Sequence, residues 1–534
     1  MTHFAQWWAA IALLTMNLPS CLCLWGCLLA FLPSCVSSRR GVVELPTVGF
    51  VSQESIAQAC RERTVHRRGT SGFESLPDGK ESYMARLAMV EAAQKSLDVQ
   101  YFIWSDDVSG TVFADRLLAA ADRGVRVRLL LDMTTGAQKE VRSSALAAHP
   151  NIQVGFFNPM TAMKGIFAGN PIPFIGEIDR MQRRMHNKIM IADSSVMIGG
   201  GRNLGDTYFG IHPRRNSRDL DFMATGPVVG DAAKSYEMYW QSPLTHVDDQ
   251  ARVTTNDREK LQDLRDRIAK KKRRLAADNR CPFPTALPRG EALRILREMT
   301  GRMIWTSYEF VADPPERMLK TGREASPVCD SMEDALALAG KDIVIHNAYF
   351  IPQHGLLNLL KEAVDRGVRV RILTNSLSSM NGLAAMAGFA NRRSDILDTG
   401  VELYELNGRA PSRRTYVHTD HLTKLSMHTK GMVVDDHLSF ISSFNLDPRS
   451  KFINTETGVF VEDAAFAARL KGYLLEDLQP THCWRVFRDN KGGILWHGQR
   501  PDGELRTYRT EPEVPFKRRA LYWLYRCVSW EDVL

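Results

Sequence analysis

The sequence lacks the residue patterns that carry most metal and acyl-transfer chemistry. Nine cysteines are present, but four of them, Cys21, Cys23, Cys27 and Cys35, lie in the first 35 residues. The other five (Cys60, Cys281, Cys329, Cys483, Cys527) are scattered without metal-ligand spacing, so neither a zinc site nor a disulfide framework is expected. No carboxylate cluster points to another metal, and no metal or cofactor is expected. No Ser or Cys stands in a recognisable nucleophile motif, which disfavours acyl transfer. Charge is also missing from one long stretch, since Phe4 to Ser34 holds no Asp, Glu, Lys or Arg.

That uncharged stretch is rich in Trp, Leu and Ile and is long enough to cross a hydrocarbon core of roughly 30 Å. Residues 1–35 are therefore expected to be a membrane segment or a lipoprotein-type signal. The ending Leu32-Pro33-Ser34-Cys35 is similar to the cleavage box of a bacterial lipoprotein, with Cys35 as the lipidated residue. The proline in that box and the lack of a basic n-region count against an export signal. Arg39 and Arg40 follow directly and would hold the downstream side in the cytoplasm. Both readings, anchor and lipidation, place the protein at a bacterial membrane and leave the side open.

The chain has 534 residues, enough for two or three domains. Hydrophobic residues make up 44% and charged residues 24%, so the body is expected to be globular. A net charge of +8 favours anionic partners, phospholipid head groups or nucleic acid, without separating them.

One polar stretch occurs twice. Met185-His186-Asn187-Lys188 runs through Ile189-Met190-Ile191-Ala192 to Asp193, then on to Gly200-Gly201-Arg202-Asn203. Met427-His428-Thr429-Lys430 runs to Asp435, then on to Ser442-Ser443-Phe444-Asn445. An offset of 242 residues relates His186 to His428 and Asn203 to Asn445. The surrounding order also repeats, with a strand at Leu97–Trp104 and one at Ile343–Phe350. Helices over 112–121 and 356–364 end at Gly124 and Gly367, where a left-handed C-cap is needed. Strands Val125–Asp132 and Val368–Asn375 follow. This is an internal duplication, and strands alternating with helices predict an α/β fold with a mixed or parallel sheet in each half.

The predicted organisation is a lead-in (36–78), a first half (79–250), a charged linker helix (251–285), a second half (286–480) and a small C-terminal appendage (481–534). The basic run Lys270–Arg274 reads as a solvated linker face or as a patch for anionic membrane. The tail Phe516–Arg526 mixes aromatics with cations and suits either an interface helix or packing onto the body.

In each copy a hairpin, turning at Asp193 or Asp435, is expected to bring His, Lys and Asn to one face. Two imidazoles can serve as nucleophile and general acid. Two lysines and two asparagines can hold the non-bridging oxygens of a phosphate. A phosphodiester fits such a set. Asp193 and Asp435 read as turn acids or as catalytic groups.

H-x-K-x4-D with a downstream G-[GS]-x-N, present twice, resembles the phospholipase D superfamily over roughly residues 80–480. Within it, Arg183–Lys188, Arg218–Asp221, Phe444–Ser450 and Asn454–Glu456 resemble the C-type bacterial cardiolipin synthases. The resemblance implies two phospholipase-D-like α/β domains about a pseudo-twofold axis, with one active site at their interface. It implies a phosphatidyl group carried on a phosphohistidine and passed to phosphatidylglycerol, from phosphatidylglycerol or phosphatidylethanolamine as donor. His186 is implied as nucleophile and His428 as acid/base, with Lys188, Lys430, Asp193 and Asp435 completing the motifs. Asn203 and Asn445 are implied to bind phosphate, and Asp219 and Glu456 to orient the histidines. A hydrolytic phospholipase D or a phosphodiesterase acting on nucleic acid is the alternative; nucleic acid is the less expected partner, and nothing identifies a protein partner.

Overall fold

Strand-like and helical stretches alternate along the sequence, and the chain folds accordingly, twice over. The computed structural model describes residues 55–61, 69–132, 143–159, 182–247, 255–277, 283–320, 323–380, 382–410, 423–500 and 502–527. The stretch 1–35, with Cys35, lies outside them. Among the described residues no helix is long and apolar enough to cross a membrane.

The first half supplies strands β1 (Ser71–Leu76), β2 (Ser96–Tyr101), β3 (Arg126–Asp132), β4 (Ile152–Phe157), β5 (Ile189–Ala192), β6 (Val196–Gly200), β7 (Arg215–Arg218), β8 (Asp221–Thr225), β9 (Thr245–Val247) and β10 (Ile304–Thr306). The second supplies β11 (Tyr308–Ala312), β12 (Asp342–Asn347), β13 (Arg369–Asn375), β14 (Glu402–Leu406), β15 (Lys424–Met427), β16 (Lys430–Val434), β17 (Leu438–Ser442), β18 (Thr457–Glu462), β19 (Cys483–Arg488), β20 (Ile494–Gln499) and β21 (Leu505–Tyr508). Along the first sheet the order β1-β8-β6-β5-β2-β3-β4-β9 matches β11-β18-β17-β16-β12-β13-β14-β19 in the second. Each sheet is mixed: β2, β3 and β4 run parallel, while β5 and β6 form an antiparallel hairpin. The duplication in sequence is thus a duplication of topology. Gly124 and Gly367 end their helices at φ 92° and 88°, in the left-handed region expected of them.

The motif strands are buried on both faces, and their alternation decides which core each residue enters. Met190 and Ala192 of β5 face the helices of their own half. Ile189 and Ile191 face the opposite way, into a cluster shared with Val433, Ile441, Val459 and Val461 of the second half. In β16 the same rule sends Met432 and Val434 inward and Val433 to the shared cluster. Both faces being covered explains the continuous apolar runs. At about 1.5–3 kcal/mol for each fully buried Val, Leu or Ile, the shared cluster ties the halves together.

Two boundaries differ from expectation. The charged helix Thr255–Ala277 is no free linker. Leu264 and Ile268 sink into the core of the first half. Lys271 and Lys272 of the basic run pair with Asp106 (2.9 Å) and Asp115 (2.6 Å). A narrow apolar stripe suffices to dock a helix that is otherwise polar. The next helix, Arg289–Arg302, adds Ala292, Leu293 and Leu296 to that same core, and β10 pairs with β1. The crossing between halves therefore falls at Ser307 rather than near residue 286. The C-terminal stretch is not a separate appendage either: β19 pairs with β14 and continues the second sheet through β20 and β21.

Candidate active site

The two histidines sit just ahead of β5 and β16, and each is stitched by backbone bonds to the other half. Met185 is bridged in parallel to Thr455; His186 N–H donates to Thr455 O (2.9 Å), and Thr455 N–H to Arg184 O (3.0 Å). On the other side β15 pairs in parallel with β7, Met427 opposite Arg218, and His428 N–H donates to Arg218 O (2.7 Å). The residue after Thr455 is Glu456, and the residue after Arg218 is Asp219.

The carboxylates therefore reach across. Glu456 Oε2 lies 2.8 Å from His186 Nδ1, and Asp219 Oδ2 lies 2.6 Å from His428 Nδ1. Each histidine is oriented by an acid from the opposite half. Occupation of Nδ1 leaves Nε2 as the nitrogen for a substrate.

The two acids are supported differently. Glu456 accepts hydrogen bonds from Ser443 Oγ (2.5 Å) and Ser450 Oγ (2.7 Å). The residue matching Ser443 in the first copy is Gly201, and a Cβ there would stand 2.2 Å from Asp219 Oδ1. Glycine at 201 thus makes room for the Asp219 carboxylate.

Burial dominates the electrostatics. It holds His428 down to about 4, with Lys430 adding to the effect and Asp219 opposing it. His186 is held well below the usual imidazole range by burial, then by Lys188, Lys430 and the other histidine. Burial pushes Glu456 up to about 7 against the pull of Lys188 and the serine hydroxyls. It draws Lys430 down to about 8 and Lys188 well below its ordinary value. Burial thus disfavours the imidazolium and favours the neutral imidazole, the form that a nucleophile needs. The Met185–Thr455 bridge and the β7–β15 pairing bring the starts of both motifs to the contact between the halves.

Lys188 Nζ donates to His186 O and Lys430 Nζ to His428 O, so each lysine folds back on its own motif. Asn203 accepts from Ile103 N–H (3.2 Å) and donates to Tyr208 Oη (3.1 Å). Asn445 is buried, its N–H held by Ser450 Oγ and its side-chain Oδ1 unpartnered. Two aromatic rings flank the pair, Phe102 edge-on to His186 (5.0 Å) and Tyr208 edge-on to His428 (5.1 Å).

Asp193 and Asp435 stand in the hairpin turns, and of the two roles open to them we propose that of turn acids. Each begins a hairpin turn with left-handed backbone, φ 50° and 53°. The Asp193 carboxylate accepts the N–H groups of Gln94, Lys95 and Ser96, and that of Asp435 those of Gly340, Lys341 and Asp342. They tie the hairpins to the starts of β2 and β12, at the far end of β5 and β16 from the histidines. Arg202 is likewise structural, donating to the carbonyls of Leu76, Pro77 and Asp219.

Three contributors, Asp132, Asn375 and Tyr208, escaped the sequence reading. Asp132 accepts Met185 N–H (2.8 Å), and Asn375 in the matching place accepts Met427 N–H (2.9 Å). Their shared position at the ends of two repeated strands was the available signal. Phe102, at the end of β2, reads from sequence most simply as core though able to face the site, and Tyr208, in the short turn Asp206–Tyr208, carries no sequence signal. Among the described residues no three His, Cys, Asp or Glu side chains come together to hold a metal.

Residues 87–240 and 332–478 match the family model of the cardiolipin synthase, phospholipase D-like domain. The chain belongs to that family. It is 34% identical over 475 residues to cardiolipin synthase C of Escherichia coli K12, covering 87% of this chain and 97% of that one. It is 26% identical over 426 residues to cardiolipin synthase B of the same strain, covering 79% and 80%. The solved phosphatidylserine synthase of Haemophilus influenzae aligns over 90% of this chain and all of its own, at 13% identity and a TM-score of 0.54, a likeness of fold. Within the family both motif copies are complete here, at His186, Lys188 and Asn203 and at His428, Lys430 and Asn445.

Proposed function

We propose that the protein is a phosphatidyltransferase that forms cardiolipin, using phosphatidylglycerol as acceptor and a phosphohistidine intermediate. The observation that carries the reading is the crossed pairing of His186 with Glu456 and His428 with Asp219. It gives two oriented imidazoles, held toward the neutral form and flanked by two buried lysines, in a chain related over most of its length to a cardiolipin synthase.

In the first step His186 Nε2 attacks the phosphorus of a donor phospholipid. The P–O bond to the head-group alcohol breaks, and that oxygen takes a proton from His428. Binding of the anionic phosphodiester favours the imidazolium at His428, offsetting the burial that lowers it. In the second step a hydroxyl of phosphatidylglycerol gives its proton to His428 and attacks the phosphorus, and the P–N bond breaks. Cardiolipin forms and both histidines return to their starting state. Lys188, Lys430, Asn203 and Asn445 would hold the non-bridging oxygens, where preorganised donors matter most. The lysines would exchange bonds to neutral backbone carbonyls for stronger, charge-assisted bonds to the phosphate.

Phosphatidylglycerol or phosphatidylethanolamine is the proposed donor, and the apolar N-terminal stretch the proposed membrane attachment. The test supplies purified protein with phosphatidylglycerol, alone and with phosphatidylethanolamine. Cardiolipin is the expected product, lost in His186→Ala and His428→Ala. Phosphatidic acid as sole product would replace this reading with a hydrolytic one.

A further inference from the structure

The last described helix, Phe516–Arg526, is fastened to the body by one face only. Tyr522 is buried in the core of the second half, with Tyr525 packed beside it. Arg518 donates to the carbonyls of Leu377 and Met380, and Arg526 to Asn391 Oδ1. Residues 516, 520, 523 and 524 recur at helical spacing on the opposite side. There Phe516 is 82% exposed, Trp523 63% and Leu524 58%, with Leu521 beside them at 46%. Eight large apolar side chains are exposed among the described residues, and these eleven positions hold four of them. The helix carries Lys517, Arg518, Arg519 and Arg526 and no acid.

From this we infer that the helix Phe516–Arg526 docks onto the surface of an anionic phospholipid bilayer. An apolar stripe ending in Trp and flanked by cations is the make-up of a helix lying in a membrane interface. Anionic head groups complement Lys517 and Arg519, the two cations that the body does not take up. A second copy of the chain complements them poorly, because a twofold contact would set the same cations against one another.

The position of the helix agrees. Its anchor points, Leu377 and Met380, follow Asn375, which holds the backbone of Met427 beside His428. Lys424 of β15, the strand leading into His428, also donates to Met380 O. The helix thus stands at the catalytic end of the second sheet, where a docked bilayer would present lipid to the histidines. The inference adds a second lipid contact to the proposed reaction and does not depend on the product.

Brominated acyl chains test it. Full-length protein is mixed with vesicles of phosphatidylcholine, with or without phosphatidylglycerol, and with or without bromine. Wild-type tryptophan fluorescence minus that of Trp523→Phe isolates residue 523 from the other tryptophans. The expected result is quenching of this difference signal about three-fold or more stronger with phosphatidylglycerol present. Lys517→Gln combined with Arg519→Gln should raise the phosphatidylglycerol content needed for half-maximal quenching. A difference signal unquenched on both vesicles would overturn the inference. So would a concentration-dependent dimer in sedimentation that disappears in Phe516→Ser/Trp523→Ser, which would give the face to a second copy. Cardiolipin formation in detergent micelles, expected unchanged in Trp523→Phe, reports on the reaction separately from the docking.

Discussion

Glu456, from the second half, sits 2.8 Å from Nδ1 of His186 in the first, while Asp219 of the first half does the same for His428 of the second. Neither half holds a complete site. Each motif contributes an imidazole and borrows its orienting acid. Glu456→Gln and Asp219→Asn are expected to lower kcat by about 10²–10⁴, the scale of losing the correct imidazole tautomer, with KM for phosphatidylglycerol little changed. Steady-state kinetics on folded variants check this. A fall confined to KM would move the acids from orientation to substrate binding.

The different support of the two acids makes the copies unequal to substitution. At Gly201 an added Cβ meets the Asp219 carboxylate at 2.2 Å, whereas Ser443 in the same place donates to Glu456. Gly201→Ala is expected to destabilise by about 1–3 kcal/mol through overpacking and to reduce activity by displacing Asp219. Ser443→Gly removes one of two hydroxyl donors to Glu456 and the acceptor of Thr457 N–H, but clashes with nothing and leaves the acid in place, so it should be milder on rate. Thermal melts and rates for the pair decide it, and equal effects on rate would contradict the assignment.

The alkaline limb of activity should report on Lys430. Burial lowers this amine to about 8. The cation is present below that pH and lost as pH rises through it, so activity should fall above about 8. Lys430→Arg keeps its charge throughout and should shift that limb upward by a unit or more, even if the maximal rate is lower. An unmoved limb in Lys430→Arg would assign it to another group.

Asp193→Ala and Asp435→Ala separate turn from catalysis. Each carboxylate accepts three backbone N–H groups at a strand start. Removing it should cost about 1–3 kcal/mol for donors left without a partner, seen as a lower Tm, while kcat of the folded enzyme holds. A collapse of kcat at unchanged Tm would restore the catalytic reading.

The fold was legible because a repeated pattern constrains itself. The 242-residue offset between the histidines implied two matching halves, and the continuous apolar run Ile189–Ala192 fits a strand buried on both faces. Both copies of the motif lead into matching hairpins, β5–β6 and β16–β17, as the repeat implied. The crossing of Glu456 and Asp219 was not legible, because it depends on pairing between β7 and β15 and on the bridge of Met185 to Thr455, contacts with no local signature. The helix Thr255–Ala277 misled because its composition is that of a solvated linker. Leu264 and Ile268 were visible as a stripe, but whether a stripe finds a partner is decided by the rest of the fold. The aspartates show the opposite case: a polar residue inside a motif need not act on substrate when its turn needs the same side chain.

The most direct measurement is of the covalent intermediate. Protein is incubated with labelled phosphatidylglycerol, quenched under alkaline conditions and digested, and the modified peptide is identified by mass spectrometry. The expected result is a phosphatidyl group on the peptide bearing His186, absent in His186→Ala. A phosphatidyl group on His428 instead, or turnover to cardiolipin with neither histidine modified, would contradict the assignment of His186 as nucleophile and of His428 as the acid and base facing it.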